Sequence, residues 1–221
     1  MVKRGKKERI YILTGGESRR MGQDKAWVEV AGQPMIRRVL AVAEEVAPVG
    51  GLVVSLDQAD SPAYQELARE RTIRLLPDRI AGLGPLGGLA TALHDAGPEA
   101  TVLLLAVDLP LLTEALLHRL LSIHWRVDPD LTVPLDREGH PQPLTACYQG
   151  TLIRLVTQLL DRRERRLTAL CAPNGSYSAP KCLQIPFSNL SDLPGADQFF
   201  LNCNRWVDLP PPSLSDSDSI G

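Results

Sequence analysis

The sequence lacks any apolar run long enough to span a membrane, since such a span needs about 20 consecutive apolar residues. The first apolar stretch, residues 10–13, is also too short for the hydrophobic region of a signal peptide, and Gly15 and Gly16 follow it closely. We therefore expect no association with a membrane, no secretion and a location in the cytoplasm.

Cysteine motifs are also absent. The sequence has four cysteines, none in a C-x-x-C pair or at the spacing of a zinc site: Cys147, Cys171, Cys182 and Cys203. In a reducing compartment such cysteines are free thiols. The sequence thus predicts no structural metal site.

A strong charge of either sign is missing as well. Among 221 residues, 24 are Lys or Arg and 26 are Asp or Glu, which gives a formal net charge of -2 and does not favour a nucleic-acid partner. Basic residues crowd residues 1–8, which we expect to be a flexible N-terminus. Residues 210–221 carry three prolines and alternating Ser and Asp, which predicts a disordered tail. One domain is expected over residues 9–209.

Short apolar segments alternate with helical patterns through this domain. The predicted strands are residues 9–13, 51–56, 73–76, 101–107, 131–134 and 145–148. The predicted helices are residues 34–46, 62–71 with Ser61 as cap, a helix ending near residue 96 after a glycine-rich loop over 82–88, 113–123 with Thr113 as cap, and 151–160 extended by 161–166. The remainder is expected to be irregular apart from residues 199–203. This order predicts an α/β fold, a three-layer, mostly parallel Rossmann-like sheet with helices on both faces.

The carboxyl ends of parallel strands meet at one edge of a sheet, and ligands bind outside that edge. The loop after the first strand, Asp57, Asp78 and Asp108 each follow a predicted strand directly. We therefore expect these groups to gather at that edge, where they would form a ligand site.

The loop after the first strand carries groups suited to binding phosphate. Gly15 and Gly16 allow backbone N–H groups to face an anion, and Arg20 and Lys25 add positive charge. The loop has no G-K-[ST] and is not G-x-G-x-x-G, so it is neither a Walker A loop nor a dinucleotide fingerprint. A triphosphate-binding loop is favoured over the alternative, a mobile basic surface loop.

The string L-T-G-G-E-S-R-R-M-G-Q-D-K, residues 13–25, closely resembles the signature of molybdenum cofactor guanylyltransferases. Later segments agree in order: G-P-L-G-G at 84–88, V-D-L-P at 107–110, G-H-P at 139–141 and N-C-N at 202–204. The resemblance spans roughly residues 10–208. It implies that the nucleotide is GTP and that its contacts are Leu13, Thr14, Gly15, Gly16, Lys25, Asp57, Asp78 and Asp108. Lys25 would meet the phosphates, and the loop backbone would read the base.

The resemblance also places a metal ligand at Asp108, after the most apolar strand. Mg²⁺ binds one or two carboxylates together with phosphate oxygens, which suits this position. The alternative is a cap on the following helix, but Thr113 already offers that cap. No basic residue adjoins Asp108 in the sequence, so we expect its charge to be unpaired. Asp57 departs from the asparagine common in the family, and simple solvation of its carboxylate is an equal alternative for it.

The acceptor that the resemblance implies is a pterin that carries a phosphate. The residues expected on the pterin side of the site are His140, Asn202, Asn204 and Arg166. Asn204 lies where related sugar nucleotidyltransferases place a second metal ligand or a substrate ligand, and an Asx-turn is the equal alternative. His140 precedes Pro141, and this position is more typical of a turn than of a residue that hydrogen-bonds a pterin. Arg166 belongs to a basic segment that would ordinarily be a solvated helix end, although one of its arginines could steer an anion.

These expectations predict an enzyme, a nucleotidyltransferase that moves GMP from GTP to the phosphate of molybdenum-loaded molybdopterin with Mg²⁺ as cofactor. Phosphoryl transfer requires positioning and charge neutralisation, consistent with the absence of a Ser-His-Asp or Cys-His motif. The alternatives are a cytidylyl- or sugar-nucleotidyltransferase and a catalytically silent binding homologue. Expected partners are GTP, molybdopterin and cofactor-delivery or insertion proteins, and we expect a monomer.

Overall fold

A computed structural model describes residues 7–14, 24–78, 82–171 and 180–202. Its centre is a seven-stranded sheet, and a two-stranded ribbon lies beside it. The strands are β1 Lys7–Leu13, β2 Glu29–Val30, β3 Gln33–Pro34, β4 Val49–Val54, β5 Leu75–Pro77, β6 Ala100–Ala106, β7 Leu131–Pro134, β8 Thr145–Gln149 and β9 Cys182–Ile185.

The strands of the main sheet follow the order β5-β4-β1-β6-β8-β7-β9. All neighbours from β5 to β6 are parallel, and β8 is antiparallel to both β6 and β7. Strand β9 pairs in parallel with β7. One strand of seven is thus reversed, and the prediction of a mostly parallel sheet is confirmed.

Helices cover both faces of this sheet. They are α1 Met35–Val46, α2 Leu56–Ala59, α3 Pro62–Arg71, α4 Gly84–Ala96, α5 Glu114–Val127 and α6 Ile153–Asp161. Buried residues of α1, α3 and α5 join one apolar cluster, and those of α4 and α6 join a second. The three-layer prediction is therefore confirmed.

The alternation of side chains along β1 explains the two clusters. Ile10 and Ile12 belong to the cluster under α1, whereas Tyr11 and Leu13 belong to the cluster under α4. Every residue of β6 is buried, as a central strand covered on both faces requires. Among the described residues, no helix is long and apolar enough to cross a lipid bilayer.

Helix ends follow the capping rules in part. Thr113 precedes α5, and its side chain accepts a hydrogen bond from the backbone N of Leu116, as predicted. Ser61 precedes α3 and Pro62 occupies its first position, but the side chain of Ser61 makes no capping hydrogen bond, which corrects that expectation. The fixed φ of proline suffices to start this helix.

Five sequence-based assignments were wrong. The glycine-rich segment is not a loop throughout, because α4 begins at Gly84. The basic segment 161–166 does not extend α6, which ends at Asp161. Asp57 does not follow a strand directly, because β4 ends at Val54 and Asp57 lies in α2. Strand β9 was missed, and residues 199–202 form no strand.

A close backbone approach at the amino edge of the sheet yields a stability prediction. Gly150 lies where β8 ends, and a Cβ there would overlap the carbonyl oxygen of Gly97, in the turn between α4 and β6. Rotating a side chain cannot relieve an overlap with backbone. We expect Gly150→Ala to lower stability by about 1–3 kcal/mol, the usual cost of overpacking.

The measurement is urea unfolding followed by circular dichroism. The control is Thr151→Ala, since Thr151 is the next residue and is exposed. Equal unfolding midpoints for Gly150→Ala and the native chain would contradict the packing described here.

Candidate active site

Backbone hydrogen bonds align the carboxyl ends of the parallel strands. The N–H of Thr14 donates to the carbonyl of Val53 at 3.0 Å, and the N–H of Val107 donates to that of Leu13 at 3.0 Å. The N–H of Asp78 donates to the carbonyl of Val54 at 2.7 Å. Residues that follow β1, β5 and β6 therefore lie at one edge, as predicted for Asp78 and Asp108.

The residue following β6 forms an ion pair with Lys25. The Nζ of Lys25 lies 2.8 Å from Oδ2 of Asp108, and their side chains are only 11% and 21% exposed. The same Nζ donates to Oδ1 of Asn202 at 3.0 Å. The expectation of an unpaired Asp108 was therefore wrong. Asn202, predicted on the pterin side, joins Lys25 and thereby lies next to the candidate metal ligand.

The second oxygen of Asp108 makes the site suitable for a cation. Its Oδ1 is buried and has no hydrogen-bond partner among the described residues. A buried carboxylate oxygen without a donor is costly unless a ligand satisfies it. Mg²⁺ prefers carboxylate oxygens, so the donor type and its unsatisfied state fit such an ion.

Leu13 and Thr14 lie at the end of β1 and are buried. A Cβ on Gly88 would come within 2.8 Å of Leu13 Cδ2, so this glycine allows α4 to pack closely on the end of β1. A Cβ on Gly87 would come within 2.6 Å of Leu83 Cβ. Both glycines are buried, and they serve packing within the fold rather than simply leaving open space.

Asp78 is half-buried at the same edge. The hydroxyl of Thr91, on α4, donates to its Oδ1 at 3.2 Å. Burial raises the pKa of Asp78 above its usual value, and the hydrogen bond from Thr91 offsets part of that rise. Asp57 is exposed in the first turn of α2, so it lies further along the chain from the strand end than predicted.

His140 lies in a turn, as the sequence favoured. Its backbone N–H donates to Oδ1 of Asp136 at 2.8 Å, and its ring Nδ1 lies 3.5 Å from Oδ2 of the same residue. With Glu138 these two residues form a group of three potential metal ligands among the described residues. The carboxylate of Asp136 already accepts from Gln142 Nε2 at 2.8 Å, so the turn itself accounts for these contacts.

Arg166 borders a cavity of about 420 Å³. Its walls come from the start of α4, the β7–β8 connection and the segment after α6: Pro85, Pro143, Leu144, Arg165, Arg166, Leu167 and Thr168. Nε of Arg166 lies 3.1 Å from Oε1 of Glu164, and hydrogen bonds from Arg166 lower the pKa of Glu164 to about 2. Of the β7–β8 connection, Pro143 and Leu144 border this cavity.

Gly15, Gly16, Arg20 and Asn204 lie outside the described residues. The structure also brings to this edge three side chains that the sequence analysis did not single out, namely Asp24, Gln58 and Tyr64. Asp24 accepts hydrogen bonds from Gln58 and Tyr64. Its position directly before Lys25 was the only sequence signal for it.

The fold is the one expected of a nucleotidyltransferase, and Lys25 and Asp108 lie together at its strand ends. A family model described as a MobA-like NTP transferase domain matches residues 10–176. The chain belongs to this family.

Relatives named probable molybdenum cofactor guanylyltransferase agree with this assignment. The protein from Pelotomaculum thermopropionicum is 33% identical over 199 residues, which are 90% of this chain and 88% of the relative. That from Methanothermobacter thermautotrophicus is 34% identical over 164 residues, 73% and 81% of the two chains. The resemblance stated from the sequence is therefore confirmed.

A solved structure supports the fold. Molybdopterin-guanine dinucleotide biosynthesis protein A from Archaeoglobus fulgidus aligns with a TM-score of 0.71 at 20% identity, covering 90% of this chain and 94% of that one. A 4-diphosphocytidyl-2C-methyl-D-erythritol synthase from Anaerococcus prevotii aligns at 0.58 with 14% identity. The same fold therefore includes proteins of different names.

The raised pKa of Asp78 predicts a pH-dependent gain in stability for Asp78→Asn. A carboxyl with a raised pKa in the folded state binds its proton more tightly there than in the unfolded chain, so ionisation destabilises the fold as pH rises. The variant should therefore melt at a higher temperature than the native chain at pH 7. The difference should vanish as pH falls towards 3.8, the usual value for this group.

Thermal melting between pH 4 and pH 8 tests this expectation. Asp60→Asn is the control, because Asp60 is exposed at the end of α2. A lower melting temperature for Asp78→Asn at pH 7 would show that the carboxylate stabilises the fold instead.

Proposed function

We propose that this chain transfers GMP from GTP to the phosphate of molybdopterin, releasing pyrophosphate and forming the guanine dinucleotide of the cofactor. The observation that carries the proposal is the Lys25–Asp108 pair with the buried, unsatisfied Oδ1 of Asp108 at the carboxyl edge of the sheet. The names of the relatives supply the substrates. We expect molybdenum-loaded molybdopterin as acceptor, a monomer, a cytoplasmic location and contact with cofactor-delivery or insertion proteins.

In the proposed reaction an oxygen of the acceptor phosphate attacks the α-phosphorus of GTP. The new P–O bond forms as the bond to the bridging oxygen of the β-phosphate breaks, and pyrophosphate leaves with that oxygen. Such transfers depend on positioning and on neutralising phosphate charge rather than on a covalent intermediate. The ammonium of Lys25 supplies positive charge at the edge, and Asn202 restricts the direction of its Nζ.

Asp108 would hold Mg²⁺ through its unsatisfied Oδ1, and Asn204 is a candidate second ligand. When bound, the ion would neutralise charge on the phosphates. Arg20, Gly15 and Gly16 are proposed to contact the phosphates as well, and Leu13, Thr14, Asp57 and Asp78 to contact the nucleotide.

We propose that the acceptor binds in the cavity of about 420 Å³ that Arg166 borders. Its apolar walls, Pro85, Pro143 and Leu144, suit a flat heterocycle, and Arg165 and Arg166 suit a phosphate. His140 would contribute from the neighbouring turn. Because Glu164 already neutralises part of the charge of Arg166, the arginine would act by orienting the acceptor more than by attracting it from a distance.

The base preference separates this proposal from a cytidylyltransferase on the same fold. We expect GTP to bind at least about tenfold more tightly than CTP, a difference of roughly 1.4 kcal/mol. The reason is the names of the chain's relatives, together with Gly15 and Gly16, whose backbone groups we propose to contact the base. The measurement is competition of GTP, CTP, ATP and UTP against one labelled nucleotide with Mg²⁺. Preference for CTP or equal affinity would assign the chain a different substrate.

Separating the Lys25–Asp108 pair should abolish most turnover. We expect Asp108→Asn to lower kcat by about a hundredfold or more, since the metal ligand loses its charge. Lys25→Ala should weaken both binding and turnover, and Lys25→Arg should not restore them fully because a guanidinium is wider than an ammonium. Neither Asp108→Asn nor Lys25→Ala should gain stability, because each breaks a partly buried ion pair.

The measurements are pyrophosphate release against Mg²⁺ concentration, GTP binding with and without chelator, and thermal melting. Lys181→Ala is the control for loss of a lysine, since Lys181 lies at the start of β9, at the amino edge. Native turnover in Asp108→Asn would remove Asp108 as the metal ligand. Absence of pyrophosphate release by the native chain would favour the silent binding homologue.

A further inference from the structure

The carboxylate of Asp24, the residue directly before Lys25, connects this part of the chain to the carboxyl edge of the sheet. Asp24 caps the short 3-10 helix that begins at Lys25, and its Oδ1 accepts the backbone N–H of Ala26 at 3.0 Å. Its Oδ2 accepts from Gln58 Nε2 at 2.8 Å and from the hydroxyl of Tyr64 at 2.9 Å. Three neutral donors therefore use both oxygens of one carboxylate.

Tyr64 is a rigid donor in this arrangement. Its side chain is 1% exposed, and the ring of Trp27 packs against it edge-on with centroids 5.4 Å apart. Burial, and after it the charge of Asp24, raises the pKa of Tyr64 well above its usual range. The hydroxyl therefore remains protonated and donates to the carboxylate at neutral pH.

Gln58 connects Asp24 to the end of β1. Its Oε1 accepts the backbone N–H of Ser55 at 3.0 Å and lies 3.3 Å from the hydroxyl oxygen of Thr14. One side-chain amide thus bridges positions 14 and 24 of the chain, which lie on either side of residues 15–23. Because the backbone N–H of Ser55 donates to the amide oxygen of Gln58, the amide nitrogen of Gln58 must face Asp24. The side chain of residue 24 must therefore accept a hydrogen bond from that nitrogen.

We propose that Asp24 is a positioning residue for Lys25, acting through Gln58, and that, with glutamine at position 58, the bridge requires two acceptor oxygens at residue 24. The inference rests on the proposed role of Lys25 at the phosphates of the nucleotide. An asparagine at this position offers one acceptor oxygen. If the asparagine oxygen faces Gln58 and Tyr64, the asparagine nitrogen faces the backbone N–H of Ala26. Two hydrogen-bond donors, that nitrogen and the N–H of Ala26, then oppose each other.

Asp24→Asn should therefore release Lys25 from its fixed position without replacing any residue that is proposed to meet the substrate. A small displacement of a group at the reacting phosphates costs up to about a hundredfold in rate. We expect kcat/KM for GTP in pyrophosphate release to fall by about 10- to 100-fold. Asp60→Asn, the same change at an exposed position, should leave it unchanged.

A double exchange distinguishes positioning from a direct role of the charge. In Asp24→Asn with Gln58→Glu, the new carboxylate accepts from Ser55 and Thr14 and also from the amide nitrogen of residue 24. The oxygen of residue 24 still accepts from Ala26, whereas Tyr64 loses its acceptor and its hydroxyl oxygen faces that amide nitrogen. Gln58→Glu alone places two carboxylates together and should also lose activity. The double variant should recover part of the loss, a coupling that a double-mutant cycle measures. Native kcat/KM in Asp24→Asn, or a double variant no better than Asp24→Asn, would overturn the proposal.

A labelling measurement tests the bridge without relying on turnover. The rate at which acetic anhydride modifies Lys25 is read by mass spectrometry, at a temperature where all variants are folded. It should rise several-fold in Asp24→Asn and return towards the native rate in the double variant. Unchanged labelling in Asp24→Asn would contradict positioning. If the native chain releases no pyrophosphate from GTP, the proposed function fails, and the labelling rates still decide whether Asp24 fixes Lys25.

Discussion

The ion pair between Lys25 and Asp108 is the interaction on which the site depends. It joins the segment after β1 to the segment after β6, and these strands pair without interruption from Lys7 with Ala100 to Leu13 with Ala106. Desolvating two charges is expensive, and the attraction between them repays it only with good geometry. The 2.8 Å contact meets that condition for one oxygen of Asp108, whereas the other stays buried without a donor. The fold thus tolerates an unsatisfied group where a ligand can satisfy it.

Much of the fold could be predicted because its strongest signals are local. The continuous apolar run of β6 identifies a central strand, and Thr113 marks the start of α5 through its own hydrogen bond. Strand β9 has only four residues, of which only Ile185 is buried. It is held by pairing with β7, about 50 residues earlier in the chain, so its own pattern could not reveal it. Short strands of this kind depend on tertiary context more than on propensity.

The candidate site was predictable in its residue types and less so in its contacts. Asp78 and Asp108 were placed at the carboxyl edge because parallel strands impose that arrangement. The partner of Asp108 is 83 residues away, and no local rule connects the two. Gly88 shows the same limit of prediction from sequence, since a glycine in a motif can allow either a ligand or another part of the chain to approach closely. Its contact with Leu13 shows that packing requires it here.

The reversed strand β8 divides the molecule into two ends with different tolerance to change. Because β8 runs against its neighbours, the β7–β8 connection lies at the carboxyl edge with Asp108, and Gly150 lies at the opposite end beside Gly97. A strand of seven residues separates the two ends by about 23 Å. The acceptor contacts proposed for the connection over residues 135–144 therefore lie at the edge opposite Gly150. The tight backbone contact of Gly150 and the proposed acceptor contacts thus belong to different loops, and Leu144 ties the second of these loops to both apolar clusters.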